Sequence, residues 1–189
     1  MPLDSFVLAF TGIVIGLGVA DLLQSLHKLL RAGPRVKWDW LTVAYAAYML
    51  FGLMIFWRWQ YGYPPAGEVF TLASFLPTFL FLGLSFLMVA SALPDHVPEE
   101  GLDLRQFYVS TIRHRWGLLS VSLLANVVAI TWGGVRYGPF DWVVFLSVSA
   151  CALLALLALR FHAIWFHALV LGFLFSVSAY GNLLAPIVH

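Results

Sequence analysis

Six long apolar stretches divide the chain, and polar or turn-forming residues separate them. Crossing the hydrocarbon core of a bilayer takes about 20 apolar residues in a helix. The pattern predicts six transmembrane helices, with approximate bounds 5–30, 40–59, 69–93, 116–132, 142–159 and 163–185. The fold class predicted is therefore all-α, a polytopic membrane bundle forming a single domain over residues 1–189.

The boundary between the fifth and sixth predicted helices is the weakest in this pattern. The other boundaries contain Gly or Pro, which end helices. Here only Leu159-Arg160-Phe161-His162 separates two apolar runs. Two helices are still required, because residues 142–188 are far too many for a single crossing.

The fourth predicted helix follows a basic amphipathic segment, residues 103–115. Such a segment favours a lead-in that lies in the cytoplasmic interface before the chain turns inward. Arg113 and Arg115 are candidates for binding anionic lipid headgroups there, as are Lys28 and Arg31 at the end of the first helix. The alternative is ordinary snorkelling of cationic side chains at a helix end.

Composition agrees with a membrane protein. The chain is 62% hydrophobic and 10% charged, with a mean hydropathy of +0.91, whereas soluble proteins are about half apolar and a quarter charged. A net charge of +1 gives no support for nucleic-acid binding. The lone Cys151 excludes a disulfide within the chain and a cysteine-based metal site. The expected partner is therefore a lipid bilayer.

The distribution of Lys and Arg predicts the orientation. Cytoplasmic loops carry an excess of these residues. With the N-terminus outside, the outer side holds only Arg58 and Arg136. The cytoplasmic side then holds eight cations, Lys28, Arg31, Arg35, Lys37, Arg105, Arg113, Arg115 and Arg160. Both termini are predicted to lie outside. No cleavable signal is expected, because the first cation, Lys28, follows the apolar run.

Tryptophan positions support the same boundaries, because indole rings favour the membrane–water interface. All eight fall at or near predicted helix ends, namely Trp38, Trp40, Trp57, Trp59, Trp116, Trp132, Trp142 and Trp165.

Asp21 is the acidic residue that lies well inside an apolar run. A carboxylate at that depth costs several kcal/mol unless it is paired, hydrated or protonated. Gln24, Ser25 and Lys28 follow at helical spacings of three, four and seven and form a polar stripe with it. One interpretation is an ion- or proton-handling group that faces a cavity, and the other is an ion pair with Arg113 or Arg115 that locks the bundle.

The same helix carries a row of small residues, Gly12, Gly16 and Ala20. A row at this spacing allows a second helix to approach closely, within the chain or from another subunit. A bundle of 189 residues is small for a transporter, which favours a homo-oligomer.

Four histidines fall on the predicted cytoplasmic half of the bundle, namely His27, His114, His162 and His167. Histidines from several helices can relay protons or hold a haem iron. Histidines at the interface that bond headgroups or backbone are the competing interpretation. His162 and His167 are five apart and do not share a helix face. No cofactor or metal site is predicted.

Asn126 lies midway along the fourth predicted helix, where an amide needs a partner. It is therefore a further ion-handling candidate. Serine and threonine elsewhere are expected to bond their own helix backbone. The chain contains no phosphate-binding loop, no GxSxG and no paired catalytic carboxylates, so an enzyme is not expected.

Two helix starts are alike. Asp39-Trp40 opens the second predicted helix and Asp141-Trp142 opens the fifth. These helices would start on opposite sides of the membrane, as in an inverted repeat of three plus three helices. The alternative is that an Asp N-cap beside interfacial aromatics is a good start for any membrane helix.

Three segments carry a resemblance over most of the chain. They are Gly16–Arg31, the basic loop ending at Trp38, and Asp103–Tyr108 ahead of Arg115-Trp116. The chain resembles an uncharacterised group of small bacterial six-helix inner-membrane proteins. The resemblance implies a multi-pass protein of the bacterial inner membrane and supplies no activity.

Two function hypotheses follow. The first is a channel or transporter for an ion, proton or small solute, with Asp21 as the titrating group and Gln24, His27, Arg113, His114, Arg115 and Asn126 as further candidates. The second is a non-transporting membrane subunit, scaffold or lipid-binding protein. A haem-binding redox protein is a weaker third.

Overall fold

The part of the chain that the structure describes forms six α-helices and a minimal pair of strands. The structure, a computed structural model, describes residues 3–60, 72–137 and 140–183. The helices are α1 (Leu3–Ala32), α2 (Trp40–Gln60), α3 (Leu72–Ala90), α4 (Leu104–Tyr137), α5 (Trp142–Arg160) and α6 (Ile164–Leu183). A 3-10 turn (Gly33–Arg35) follows α1, and β1 (Val36–Lys37) pairs in parallel with β2 (Leu102–Asp103). The all-α class is confirmed.

Four of the helices, α1, α2, α4 and α5, are long and apolar enough to cross a membrane. The membrane character predicted from the sequence is therefore confirmed, and these surfaces are compatible with contact with a bilayer. The apolar parts described in α3 and α6 are shorter, Phe75–Ala90 and Ile164–Tyr180. The predicted bounds 69–71 and 184–185, and the side chain of Arg136, lie outside the described residues.

The predicted lead-in at residues 103–115 is not a separate segment. Helix α4 begins at Leu104 and continues without interruption to Tyr137. Asp103 starts it, because its Oδ1 atom accepts hydrogen bonds from the backbone N–H groups of Arg105 (2.9 Å) and Gln106 (3.2 Å). A helix of 34 residues is about 50 Å long, so lead-in and predicted span form one rod.

The chain packs as two compact units, residues 1–107 and 108–189. In the first unit α1 packs against both α2 and α3, and in the second α5 packs against α6. The expected single domain remains a prediction. The buried positions of α1 recur every three or four residues and include Val7, Thr11, Leu22, Ser25, Leu29 and Ala32.

Gly18 is the glycine of α1 that packs closely against neighbours. A Cβ at Gly18 would lie 3.4 Å from Leu53 of α2 and 3.7 Å from Phe86 of α3. At Gly12 and Gly16 a Cβ would meet no atom within 4 Å among the described residues. The predicted small-residue row is therefore not the packing face of α1 within this unit, because that face lies along the buried positions.

The two similar helix starts are both N-caps. Asp39 Oδ2 accepts from the backbone N–H of Thr42 at 3.0 Å. Asp141 Oδ1 accepts from the N–H groups of Val143 (3.0 Å) and Val144 (3.1 Å). The capping interpretation is confirmed for both, and the inverted repeat remains a prediction.

Seven tryptophans are exposed, as an interfacial belt requires, and one is not. Trp38, Trp40, Trp57, Trp59, Trp132, Trp142 and Trp165 are 41–67% exposed, whereas Trp116 is fully buried. The prediction that Trp116 marks a helix end is wrong, because α4 begins twelve residues earlier. Trp116 belongs instead to the interior of the second unit.

The α5–α6 boundary confirms a hairpin without Gly or Pro. Helix α5 ends at Arg160, and α6 begins at Ile164. Phe161 closes α5 in an extended conformation, and its N–H donates to the carbonyl of Leu157 at 2.9 Å. Its own carbonyl accepts a hydrogen bond from the ring of His167 at 2.7 Å. That side chain ties the start of α6 to the connection.

Candidate functional site

A basic pocket of about 470 Å³ lies at the C-terminal end of α1. Its cationic side chains are Lys28, Arg31 and Arg35, and all three are exposed. The remaining lining residues are Ala32, Asp95, His96 and Val97. Three cations against one carboxylate leave the pocket with a net charge of +2 when His96 is neutral.

The turn after α1 brings Arg35 back to the pocket. Gly33 has φ +58°, a left-handed conformation in which glycine is favoured, and Pro34 follows it. The chain then enters β1, which pairs with β2 in the register Val36 to Leu102 and Lys37 to Asp103. This pairing fixes the end of α1 against the segment that follows α3.

Gly101 makes the strand pairing possible. Its φ is +100°, and a Cβ added there would lie 2.8 Å from the carbonyl oxygen of Arg35. Only a residue without a side chain fits both the conformation and the approach. Nearby, the hydroxyl of Thr42 lies 3.0 Å from the carbonyl oxygen of Leu104, which ties the start of α2 to the start of α4.

Asp95 organises the inner wall of the pocket. Its Oδ1 atom accepts a hydrogen bond from the hydroxyl of buried Ser25 at 3.0 Å. Its backbone carbonyl accepts from the ammonium group of Lys28 at 3.2 Å. The loop after α3 is thereby held to α1, and the ammonium group of Lys28 is held at the wall of the pocket.

Arg31 and Arg35 carry the remaining charge. Within the part of the chain that the structure describes, neither guanidinium makes a hydrogen bond or an ion pair. A guanidinium presents a planar fork of donors that matches a phosphate or carboxylate. The arrangement of two open forks beside an ammonium group can therefore bind a compact anion.

One face of α1 joins this pocket to an apolar groove. Phe10, Val14 and Leu17 line a groove of about 280 Å³ together with Phe79, Leu82, Gly83 and Phe86 of α3. The positions 10, 14, 17, 21, 24, 28, 31 and 35 follow one another at alternating steps of four and three. Within α1 that spacing places residues on one helix face.

Asp21 and Gln24 lie on this face between the groove and the pocket. Asp21 is half-buried and Gln24 is exposed. The carboxylate of Asp21 makes no hydrogen bond or ion pair with any residue among 3–60, 72–137 and 140–183. The proposed lock between Asp21 and an arginine of α4 remains a prediction.

The second unit contains a buried polar chain. Trp116 Nε1 donates to the hydroxyl of Tyr108 at 3.0 Å, and that hydroxyl lies 3.0 Å from Nδ1 of His167. His167 Nε2 lies 2.7 Å from the carbonyl oxygen of Phe161. All three side chains are at most 1% exposed. Because a carbonyl only accepts, Nε2 carries the proton, and Nδ1 accepts from Tyr108 in the neutral ring.

Arg115 belongs to this interior and not to the headgroup layer. It is fully buried, and its guanidinium carbon lies 5.3 Å from the centre of the Tyr108 ring. The prediction that Arg115 binds lipid headgroups is wrong, because its side chain turns into the unit, where it stacks on an aromatic face. Its neighbour Arg113 is exposed on α4.

The remaining sequence candidates line neither the basic pocket nor the apolar groove. His27 on α1 and His114 on α4 are exposed, as is His162 between α5 and α6. His167 has both ring nitrogens engaged, so neither is open to an iron. Asn126 donates to the carbonyl of Ser122, one turn earlier, at 2.9 Å. Its partner is its own helix, which is the behaviour expected of the serines.

The expectation that serines bond their own helix backbone holds for Ser147 and Ser176, whereas Ser25 donates to Asp95 and the buried hydroxyls of Ser120 and Ser149 have no hydrogen-bond partner among the described residues. Ser147 donates to the carbonyl of Val143 at 2.7 Å, and Ser176 donates to that of Gly172 at 2.9 Å. Among the residues described, no group of three or more His, Cys, Asp or Glu side chains lies close enough to hold a metal ion.

Sequence reasoning identified Lys28 and Arg31 and missed their partners. Arg35 precedes the two-residue β1–β2 pairing, and Asp95 and His96 lie in the loop after α3, and neither segment has a periodic signature. The contact among Tyr108, Trp116 and His167 was not predicted, because Trp116 was assigned to the membrane–water interface. The signal available was the pair Tyr108 and Trp116, eight residues apart and so near one face of a helix. No family model, curated protein or solved structure matches the chain.

Proposed function

We propose that this protein is a multi-pass protein of the bacterial inner membrane that binds a phosphate-bearing anionic headgroup in the basic pocket. The observation that carries the proposal is the pair of open guanidinium groups, Arg31 and Arg35, beside Lys28. This is the non-transporting, lipid-binding alternative drawn from the sequence, with Arg35 and His96 added and Arg115 removed.

The proposal includes the topology predicted from charge. All six helices cross the membrane, with both termini outside and the end of α1 on the cytoplasmic side. The pocket then lies at the headgroup level, because it follows directly on an apolar helix. The exposed ring of Trp38 nearby is the residue type expected at that depth.

Electrostatics favour a phosphate over a neutral headgroup. A Lys or Arg near an anionic membrane surface contributes about 1 kcal/mol, and hydrogen bonds from guanidinium to phosphate are about twice as strong as neutral ones. The C-terminal end of α1 carries a partial charge of roughly −0.5, which the net charge of the pocket outweighs.

The test is lipid binding to the purified protein in detergent. We expect dioleoyl phosphatidylglycerol to bind, by native mass spectrometry, and to raise the melting temperature more than dioleoyl phosphatidylcholine does. Inorganic phosphate at high concentration should compete, since it shares the recognised group. The double variant Arg31→Gln/Arg35→Gln should lose the preference for the anionic lipid.

Arg113→Gln is the matched control, because it removes an exposed cation that does not line the pocket. The preference should survive in this variant. An equal loss in both variants would mean that total charge and not the pocket attracts the lipid, and the proposal would fail.

Asp21 supports a second candidate, a channel or transporter for an ion, proton or small solute. Its half-buried carboxylate makes no hydrogen bond or ion pair among the described residues, so it is available to a bound ion. Proton and ion flux in proteoliposomes tests this candidate. Flux present in the wild type and in Glu99→Gln but absent in folded Asp21→Asn would support transport.

A homo-oligomer is part of the same proposal. The open positions at Gly12 and Gly16 leave room for a helix of a second copy. Cross-linking in native membranes tests it, with Gly16→Leu as the variant that blocks close approach. A monomer in both proteins would contradict it.

A further inference from the structure

We propose that the lipid held in the basic pocket extends an acyl chain into the apolar groove between α1 and α3, so that the site recognises a whole phospholipid. The inference rests on the proposed headgroup binding and goes beyond it, because a pocket alone would accept a soluble phosphate equally well. The juxtaposition that carries it is a basic pocket and an apolar groove on one face of α1.

The two cavities share the same two structural elements. Phe10, Val14 and Leu17 line the groove from α1, and Lys28 and Arg31 line the pocket from the same helix. At 100° per residue these five positions fall within an arc of about 100°. On the other side, α3 lines the groove, and the segment that follows its end contributes Asp95, His96 and Val97 to the pocket.

The spacing along α1 fits a lipid in one leaflet. Leu17 and Lys28 are eleven residues apart, which is about 16 Å along a helix. The hydrocarbon of one leaflet is about 15 Å deep, half of the ~30 Å core. A headgroup bound at Lys28 therefore places the distal part of its acyl chain at the near edge of the groove.

Gln24 lies at the level between headgroup and chain. It precedes Lys28 by four residues, or about 6 Å, and is exposed on the same face. Its amide is a donor at the depth where a phospholipid presents ester carbonyl groups. Along α1, apolar side chains are followed by an amide donor and then by cations. A phospholipid presents its acyl chain, its ester carbonyl groups and its phosphate in the same order.

The groove has the shape of a chain site. Its lining is hydrocarbon and aromatic throughout, and Gly83 leaves an open space where a Cβ would meet no described atom within 4 Å. Phe79 stacks against Phe10 at a centroid distance of 6.0 Å and forms one wall. Because lipid tails compete for any apolar surface, the preference comes from packing and is modest.

The test compares chain lengths with one headgroup. For each chain length, the affinity of the wild-type protein for phosphatidylglycerol is divided by its affinity for phosphatidylcholine in the same detergent. This ratio should be on the order of five-fold higher for the dioleoyl lipids than for the dioctanoyl lipids. Gly83→Leu fills the groove and should abolish this difference while the preference for the anionic headgroup remains. Soluble glycerol 3-phosphate should compete more weakly than either lipid.

Gly52→Leu is the matched control, because Gly52 has the same open space on α2 and does not line the groove. It should bind as the wild type does, and melting curves confirm that both variants fold. A chain-length preference that persists in Gly83→Leu overturns the inference and leaves headgroup binding intact. Absence of anionic-lipid binding in the wild type overturns the proposed function and the inference together.

Discussion

The hydroxyl of Tyr108 lies 3.0 Å from Nδ1 of His167, fifty-nine residues later in the chain. The same hydroxyl accepts from Trp116, and the other ring nitrogen of His167 donates to Phe161. These hydrogen bonds all run in one direction, from Trp116 through Tyr108 and His167 to the Phe161 carbonyl. The second unit therefore contains three buried side chains whose polar atoms are satisfied by one another and by the Phe161 carbonyl.

Removing the Tyr108 hydroxyl should destabilise the fold. Tyr108→Phe leaves the Trp116 N–H and the His167 Nδ1 atom buried without their partner, and each such group costs about 1–3 kcal/mol. We expect a loss of about 2–4 kcal/mol in the free energy of unfolding. Reversible unfolding in detergent or bicelles measures it.

Tyr180→Phe provides the control for that measurement, because this tyrosine lies on α6 and is 80% exposed. Its change in stability should fall within about 0.5 kcal/mol. Equal effects for the two variants would contradict the importance of the buried chain.

The same geometry predicts the tautomer of His167. The Phe161 carbonyl at 2.7 Å requires a proton on Nε2, and the remaining nitrogen then accepts from Tyr108. Nitrogen NMR of protein labelled at histidine should find a neutral ring protonated at Nε2. Assignment by loss of the signal in His167→Gln identifies the residue. A neutral ring protonated at Nδ1 would contradict this assignment, because Nε2 could then not donate to the Phe161 carbonyl.

Gly101→Ala should weaken the β1–β2 contact. An alanine there faces an unfavourable backbone conformation, at about 1–3 kcal/mol, and a Cβ 2.8 Å from the Arg35 carbonyl oxygen. The free energy of unfolding should fall by at least this backbone cost. Binding of anionic lipid should weaken because Arg35 shifts. Gly117→Ala, in open space on α4, should be neutral or stabilise by up to about 1 kcal/mol. Unchanged lipid binding in Gly101→Ala would show that the position of Arg35 does not depend on the β1–β2 pairing.

Asp21→Asn distinguishes the two candidate functions in one protein. A carboxylate on the face that leads to the pocket repels an anionic lipid, so its neutralisation should leave lipid binding unchanged or strengthen it. Under the transport hypothesis the same variant should abolish flux. Lipid titration and flux assays on one preparation read both results. A clear loss of lipid affinity in the folded variant would show that the carboxylate helps to hold the lipid, contrary to the proposal.

The elements that the sequence predicted correctly are helices with a long apolar stretch and helix starts with an Asp N-cap. Apolar length was sufficient to find α1, α2 and α5 within a few residues, and the Asp residues at 39 and 141 act locally through bonds to the next turn. The α5–α6 hairpin followed from length alone. These features depend on neighbours in sequence, which the sequence displays.

The features that it did not place depend on contacts between distant segments. From the sequence Arg115 resembles an interfacial cation, whereas the structure buries it beside the ring of Tyr108. Gly12 and Gly16 have the spacing of a packing motif, whereas Gly18 is the position that faces Leu53 and Phe86. A spacing of four identifies a face of a helix but does not say which face meets a neighbour.

The three-residue connection between α5 and α6 has a consequence for biogenesis. Only residues 161–163 lie between the helices. This connection is too short to form a soluble loop between the insertion of one helix and the insertion of the other. Under the proposed topology, in which both helices cross the bilayer, the pair would insert as a single hairpin. Reporter tags or cleavage sites used to map the membrane topology would disrupt this connection, since a longer loop separates the Phe161 carbonyl from His167. The acidic turn at Glu99 and Glu100 offers an exposed alternative on the same predicted side.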